Sequence, residues 1–123
     1  MASYRTEAVV LRTFNLGEAD KILTLFTEKK GKVRAVARGS RRPRNHLIGS
    51  SQPFVHGLFI IYAGKTLDSV NQATIIDPGI YLREDLMKMA YASYIVELVD
   101  SFTEEYDPNS RLFHLLITIL KAM

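Results

Sequence analysis

The sequence predicts an α+β chain in which a small antiparallel barrel or sandwich of five strands is followed by α-helices. Three observations carry that reading. Residues 1–78 hold short runs rich in Val, Ile, Leu, Thr and Phe, divided by Gly-containing turns, as hairpin-linked strands do. Near residue 78 the apolar period becomes helical. The 123 residues, 47% of them apolar and 24% charged, suffice for one hydrophobic core but not for two comfortable ones.

Glu7–Thr13 (EAVVLRT) reads as the first strand. Lys21–Thr27 (KILTLFT) alternates Ile22, Thr24 and Phe26 on one face with Leu23, Leu25 and Thr27 on the other. Glu28-Lys29-Lys30-Gly31 is a compact connection in which Gly31 can take the positive φ of such loops, and Lys32–Arg38 (KVRAVAR) is the partner strand. Phe54–Tyr62 and Thr66–Ile76 form a second hairpin across Ala63-Gly64-Lys65. After Asp77-Pro78-Gly79, the residues Leu82, Leu86, Met89, Ala90, Tyr94, Leu98 and Phe102 fall on one helical stripe, expected to face the core. Asp107-Pro108 reads as an N-cap with proline at the first helical position. Leu112, Leu115, Leu116, Ile119 and Leu120 then mark the apolar face of a last helix. That helix reaches Met123 without a stop signal, and Phe113 and Ile117 widen its apolar surface. The chain is therefore expected to be an N-terminal fragment, or to have something further packed there. The expected division is 1–78 for the strands and 79–123 for the helices.

Several function classes are excluded early. The chain has no cysteine, so it can hold no disulfide, no thiolate nucleophile and no Cys-based zinc site, which fits a reducing compartment. Its first residues lack an apolar signal core, and no run approaches the ~18 apolar residues of a membrane span. Cytoplasm is the expected compartment, and a membrane is not an expected partner. There is no P-loop, GxGxxG, GxSxG or HExxH. His46, His56 and His114 lie ten and 58 residues apart, without metal-ligand spacing, and His114 reads as a packing residue in an apolar helix. Glu18 and Asp20 have the types to hold a metal or share a proton. In the turn Asn15–Asp20, however, they read as acceptors of backbone N–H groups or partners of a nearby arginine. Glu84-Asp85 complements a helix N-terminus. No catalytic residue, metal ligand, cofactor or small-molecule substrate is expected within these residues, and the protein is not expected to be an enzyme.

Charge distribution is more informative than the net +3. Residues 1–78 carry 12 Lys/Arg and 6 Asp/Glu, a balance of +6, whereas residues 79–123 carry 4 and 7, a balance of −3. From Lys29 to Arg44 there are eight basic residues and no acid. A run like this is often only a solvated face, but strand alternation sorts it. Val33, Ala35 and Ala37 point to one face, and Lys32, Arg34, Val36 and Arg38 to the other. Cations two residues apart on that face are separated by ~6.6–6.8 Å, comparable with phosphates along an extended single strand. Beyond them, Gly39–Asn45 is a flexible loop with Arg41, Arg42 and Arg44, whose planar forks suit phosphates. Loops flanking a barrel strand are where oligonucleotide-binding folds engage their ligand. The candidate nucleic-acid residues are thus Lys29, Lys30, Lys32, Arg34, Arg38, Arg41, Arg42 and Arg44. Tyr4, Phe14, Phe54 and Tyr62 are candidate stacking rings, with Phe26 and Phe59 assigned to the core.

The segments Glu7–Arg12 (EAVVLR), Gly17–Leu23 (GEADKIL), Leu25–Glu28 (LFTE), Lys30-Gly31-Lys32 and Arg38–Arg44 (RGSRRPR) resemble the N-terminal domain of the RecO family of bacterial recombination mediators. Gln52-Pro53-Phe54 and Tyr94–Leu98 (YIVEL) follow the same pattern, so the likeness runs the whole chain in order. The resemblance implies a five-stranded antiparallel OB-fold barrel followed by the start of a helical domain. It implies a non-enzymatic protein of DNA repair and recombination. Such a protein binds single- and double-stranded DNA and anneals complementary strands. With RecR it helps RecA, an indirect partner, replace single-strand-binding protein. Nucleoid association within the cytoplasm follows from that role. The family's basic barrel surface falls here on Lys32, Arg34, Arg38, Arg41, Arg42 and Arg44. Many members carry a Cys-rich zinc module in a later part. Ser40 and Asn45 depart from the Ala and Ser of the family's basic loop without removing charge. Two other readings stay open: an RNA-binding OB-fold module, and a protein-interaction adaptor whose basic loop rests on an anionic lipid or protein surface.

Overall fold

The computed structural model describes residues 2–123. Five strands come first: β1 (Ser3–Leu16), β2 (Asp20–Thr27), β3 (Gly31–Ala37), β4 (His56–Tyr62) and β5 (Asp68–Asp77). Three helices follow: α1 (Ile80–Arg83), α2 (Leu86–Phe102) and α3 (Ser110–Ala122). The strands close into an OB-fold barrel in the order β1-β2-β3-β5-β4. Four pairings are antiparallel, as expected from the sequence. The fifth is parallel, joining β3 to β5 through Ala35↔Asp68 and Val36↔Ser69. Geometry forces this departure: an odd number of strands cannot alternate up and down around a closed ring. The parallel seam is also the shortest pairing in the barrel.

β1 is longer than the predicted Glu7–Thr13 because it serves two neighbours. Ser3–Val9 pairs with β4, and Ala8–Leu16 with β2, with a register shift between Val10 and Arg12. An irregularity of this kind bends a strand, as barrel closure demands. The β2–β3 connection is the predicted tight hairpin. Gly31 adopts φ +72°, and a Cβ there would lie 2.5 Å from the Asp107 backbone. Thr27 Oγ1 holds the turn, donating to the Gly31 carbonyl and accepting from the Lys30 N–H.

Two apolar clusters stabilise the molecule. The barrel interior is filled by Leu23, Leu25, Val33, Phe59 and Ile61, with Leu47 from the β3–β4 connection closing one end. The second cluster lies outside the barrel wall. There Val9, Leu11 and Phe26 meet Leu82, Val96, Phe113, Leu116 and Leu120 of the helices. Phe113 is fully buried with its ring 6.1 Å from that of Phe26, and burial of such a side chain contributes roughly 2–3 kcal/mol.

The helical face differs from the predicted stripe. Leu82 is buried, but Leu86 is 79% and Tyr94 63% exposed, and Phe102 also lies in solvent. The residues of α2 that pack are Ala92, Val96 and Val99. The cause is a break in phase. The short α1 ends at Arg83, and Asp85 caps a new helix by accepting from the Met87 and Lys88 N–H groups. With apolar residues on both sides of α2, the smaller set faces the barrel and permits close approach. α3 starts later than predicted: Asn109, not Asp107, is the N-cap, accepting from the Leu112 N–H at 3.0 Å. Its buried residues are Phe113, Leu116 and Leu120, while Leu115 is exposed. His114 is exposed rather than packed, and it bonds Glu28 Oε2 at 2.6 Å. No described helix is long and apolar enough to cross a membrane.

Candidate nucleic-acid interface

Register aligns the outward residues of β1, β2 and β3 in rows that climb the barrel wall. Lowest, Val9 and Phe26 lie beneath the helices. Next comes Arg12↔Thr24↔Arg34, then Phe14↔Ile22↔Val36. At the top, Leu16 pairs with Asp20, and the chain leaves β3 at Arg38. The small inward residues Val33, Ala35 and Ala37 are fully buried, which seats β3 against the core while Arg34 and Arg38 project into solvent.

The basic segment after β3 is a series of hydrogen-bonded turns rather than the flexible loop expected from its composition. Asp20 Oδ1 accepts from the Gly39 N–H at 2.6 Å, and buried Ser40 donates to the Ala37 carbonyl. Arg41 donates to the β1–β2 turn twice, from its N–H to the Ala19 carbonyl and from Nη1 to the Gly17 carbonyl. Asp20 therefore orders a backbone turn, in line with the reading of the Glu18/Asp20 pair. Arg38, Arg41, Arg42 and Arg44 are all exposed, next to the turn between strands one and two that OB-folds use for oligonucleotides. Among the described residues no carboxylate forms an ion pair with these four or with Arg34.

Lys32 departs from the expectation of an outward cation. Its side chain is only 15% exposed, and the ammonium donates to Asp100 Oδ1 (3.0 Å) and to the Asp100 and Thr103 carbonyls (both 2.8 Å). Arg12 reaches the same carboxylate at 3.2 Å. Burial alone would raise the Asp100 pKa, but the bonds from Lys32 and Arg12 outweigh it and hold the carboxyl below its ordinary value. The α2–α3 connection completes the contact, since the Tyr106 N–H donates to the Lys32 carbonyl at 2.9 Å and Glu105 bridges to Lys32 in strand fashion. This connection covers the part of β3 that β5 does not reach.

Lys29 and Lys30 are exposed in the β2–β3 turn, at the opposite end of β3 from Arg38, roughly 25 Å away along the strand. Lys30 sits over the Tyr4 ring, 5.4 Å from its centroid. Of the candidate rings, Phe14 and Tyr62 are exposed. Tyr4 is half-buried and donates to Asp68 Oδ2 at 2.7 Å; burial first, and then that bond, raise its pKa. Phe54 is buried, contrary to expectation: its N–H pairs with the Val10 carbonyl, and its ring belongs to the apolar cluster under the helices with Leu82 and Phe113. Phe26 and Phe59 are core, as predicted. Two cations beside the site escaped the sequence reading. Arg12 lies in the same row as Arg34, across β2 from the basic strand, and Lys21 reaches the Ser51 carbonyl, its pKa lowered by burial and then by Arg41. Strand register alone could have revealed Arg12, whereas the Lys21 contact depends on the fold of the β3–β4 connection.

Below the Arg12–Thr24–Arg34 row the sign of the surface reverses, where Asp100, Glu104 and Glu105 line the same groove. Among the described residues no group of three or more His, Asp or Glu side chains is placed to hold a metal ion.

The family described as Recombination protein O N terminal matches residues 1–79, and Recombination protein O C terminal matches residues 83–123. A DNA repair protein RecO of Pelotomaculum thermopropionicum is 40% identical over 123 residues, covering 100% of this chain and 48% of that protein. Those of Symbiobacterium thermophilum and Bacillus pumilus are 43% and 42% identical, over 98% and 97% of this chain and 47% and 46% of theirs. The chain thus spans about half the length of these relatives.

Proposed function

The chain belongs to the Recombination protein O (RecO) family, which supports a role in DNA repair, and from that premise we propose that its barrel is a sequence-tolerant DNA-binding module. A single strand runs up the outer wall of β3, its phosphates meeting Arg34 and Arg38 and then Arg41, Arg42 and Arg44. The observation that carries this reading is the set of five exposed guanidinium groups without carboxylate partners among the described residues, on one wall and its adjoining turn. Cations aimed at phosphates, with no side-chain array for reading base edges, favour affinity without sequence preference. Lys29 and Lys30 extend the contact only for longer DNA. Such a surface lowers phosphate repulsion when a complementary strand approaches, which suits annealing of single strands and weaker binding of duplex. Chemistry on the DNA is not part of this role. In the full-length protein the same surface acts with RecR while RecA replaces single-strand-binding protein, and the work is done at the nucleoid.

The test is competition among three anionic ligands at fixed salt: a DNA oligonucleotide, RNA of the same sequence, and anionic vesicles. DNA should bind, with a slope of log K against log salt no steeper than about −3.5 if five arginines each neutralise one single-strand phosphate. Stronger binding to RNA would favour an RNA module instead. Vesicle binding without DNA binding would identify an adaptor.

A further inference from the structure

We propose that Phe14, on the outer wall of the barrel near the end of β1, is a platform on which one base of a single strand stacks. The inference rests on the DNA-binding reading above and adds to it a preference for unpaired DNA. Phe14 is 44% exposed two residues from the end of β1, and what distinguishes it from other exposed apolar side chains is the row of the barrel wall in which it lies. The helices that cover Val9 and Phe26 in the lowest row do not reach it.

The neighbours of Phe14 favour a base rather than a protein side chain. Its cross-strand partner Ile22, and beyond it Val36 opposite Ile22 on β3, supply an apolar floor, with Val36 itself buried. The row on one side carries Arg12 and Arg34, and on the other the chain reaches Arg38. The apolar row is therefore flanked by cations one residue pair away, ~6.6–6.8 Å along the strand. A nucleotide has this same alternation of flat apolar base and anionic phosphate. The Arg12 guanidinium lies 4.9 Å from the Phe14 ring centroid and backs one side of it, fixing the ring while the rest stays open. Asp100, Glu104 and Glu105 close the lower end of the groove to phosphates. The strand is thereby directed upward from Arg34 towards Arg38 and the turns beyond.

Duplex DNA offers phosphates to the same cations but has no free base face for Phe14. The platform should therefore act on single strands alone. The chain contains no tryptophan, so Phe14→Trp places a sole indole reporter at the site. Titration of this variant with single-stranded oligothymidylate should quench the indole, and duplex DNA of equal length should leave it bright. Phe14→Ala should bind oligothymidylate about tenfold more weakly, with duplex affinity and salt slope unchanged. Oligothymidylate binding detected by anisotropy, without quenching in Phe14→Trp and without loss in Phe14→Ala, would overturn the platform and leave the cationic wall standing. Equal quenching by duplex would overturn it as well. Failure of the unsubstituted protein to bind either DNA would remove the cationic reading, and the platform with it.

Discussion

Lys32 and Arg34 stand two residues apart on β3 and leave the strand from the same face, yet their charges are used in opposite ways. The Lys32 ammonium is enclosed by Asp100 and two carbonyls at the end of α2, while Arg34 projects into solvent without a carboxylate partner. What separates them is the α2–α3 connection, which covers β3 at Lys32 and stops before Arg34. A strand with one charge pattern is thus divided into a structural half and a solvent-facing half. Alternation assigns a face, whereas the element packed on that face decides what its charges do.

Breaking the structural half should give the largest effects. Gly31→Ala combines a φ of +72° with a Cβ 2.5 Å from the Asp107 backbone, so it should destabilise the fold by about 3 kcal/mol in urea denaturation. Lys32→Met keeps the stem but leaves the Asp100 carboxylate with Arg12 alone. It should cost about 2 kcal/mol by the same measurement. Asp100 makes this half sensitive to acid. Its folded pKa lies below the ordinary 3.8, so the stabilisation is fully present above that value and is lost as pH falls through the lower, folded one. The urea midpoint should begin to drop as pH falls towards 3.8 and go on dropping below it, and the drop should be smaller in Asp100→Asn. The smallest effect belongs to the remote turn. Lys29→Ala with Lys30→Ala should change the affinity for a short oligonucleotide less than about twofold, since the turn lies roughly 25 Å from Arg38.

The molecule was legible where local rules decide. Alternation in Lys32–Arg38 identified the buried Val33, Ala35 and Ala37, and Gly31 marked the hairpin. Composition located the arginine-rich turns. Legibility ended where distant residues decide. The parallel β3–β5 seam follows from closing an odd ring, which no single segment records. The fate of Lys32 depends on Asp100, 68 positions away. The packed face of α2 was missed because apolar residues lie on both its sides and the break after Arg83 resets their phase. Arg12 joins the candidate site only through its register with Thr24 and Arg34.

The salt dependence of single-stranded DNA binding tests the division of β3 most directly. Arg34→Ala with Arg38→Ala should flatten the slope of log K against log salt by about 1.4, or 0.7 for each lost phosphate contact, with the urea midpoint nearly unmoved. Lys32→Met should do the reverse, lowering the midpoint and leaving the slope of the folded protein intact. An unchanged slope in the double arginine variant would contradict the account, as would a flattened slope in Lys32→Met.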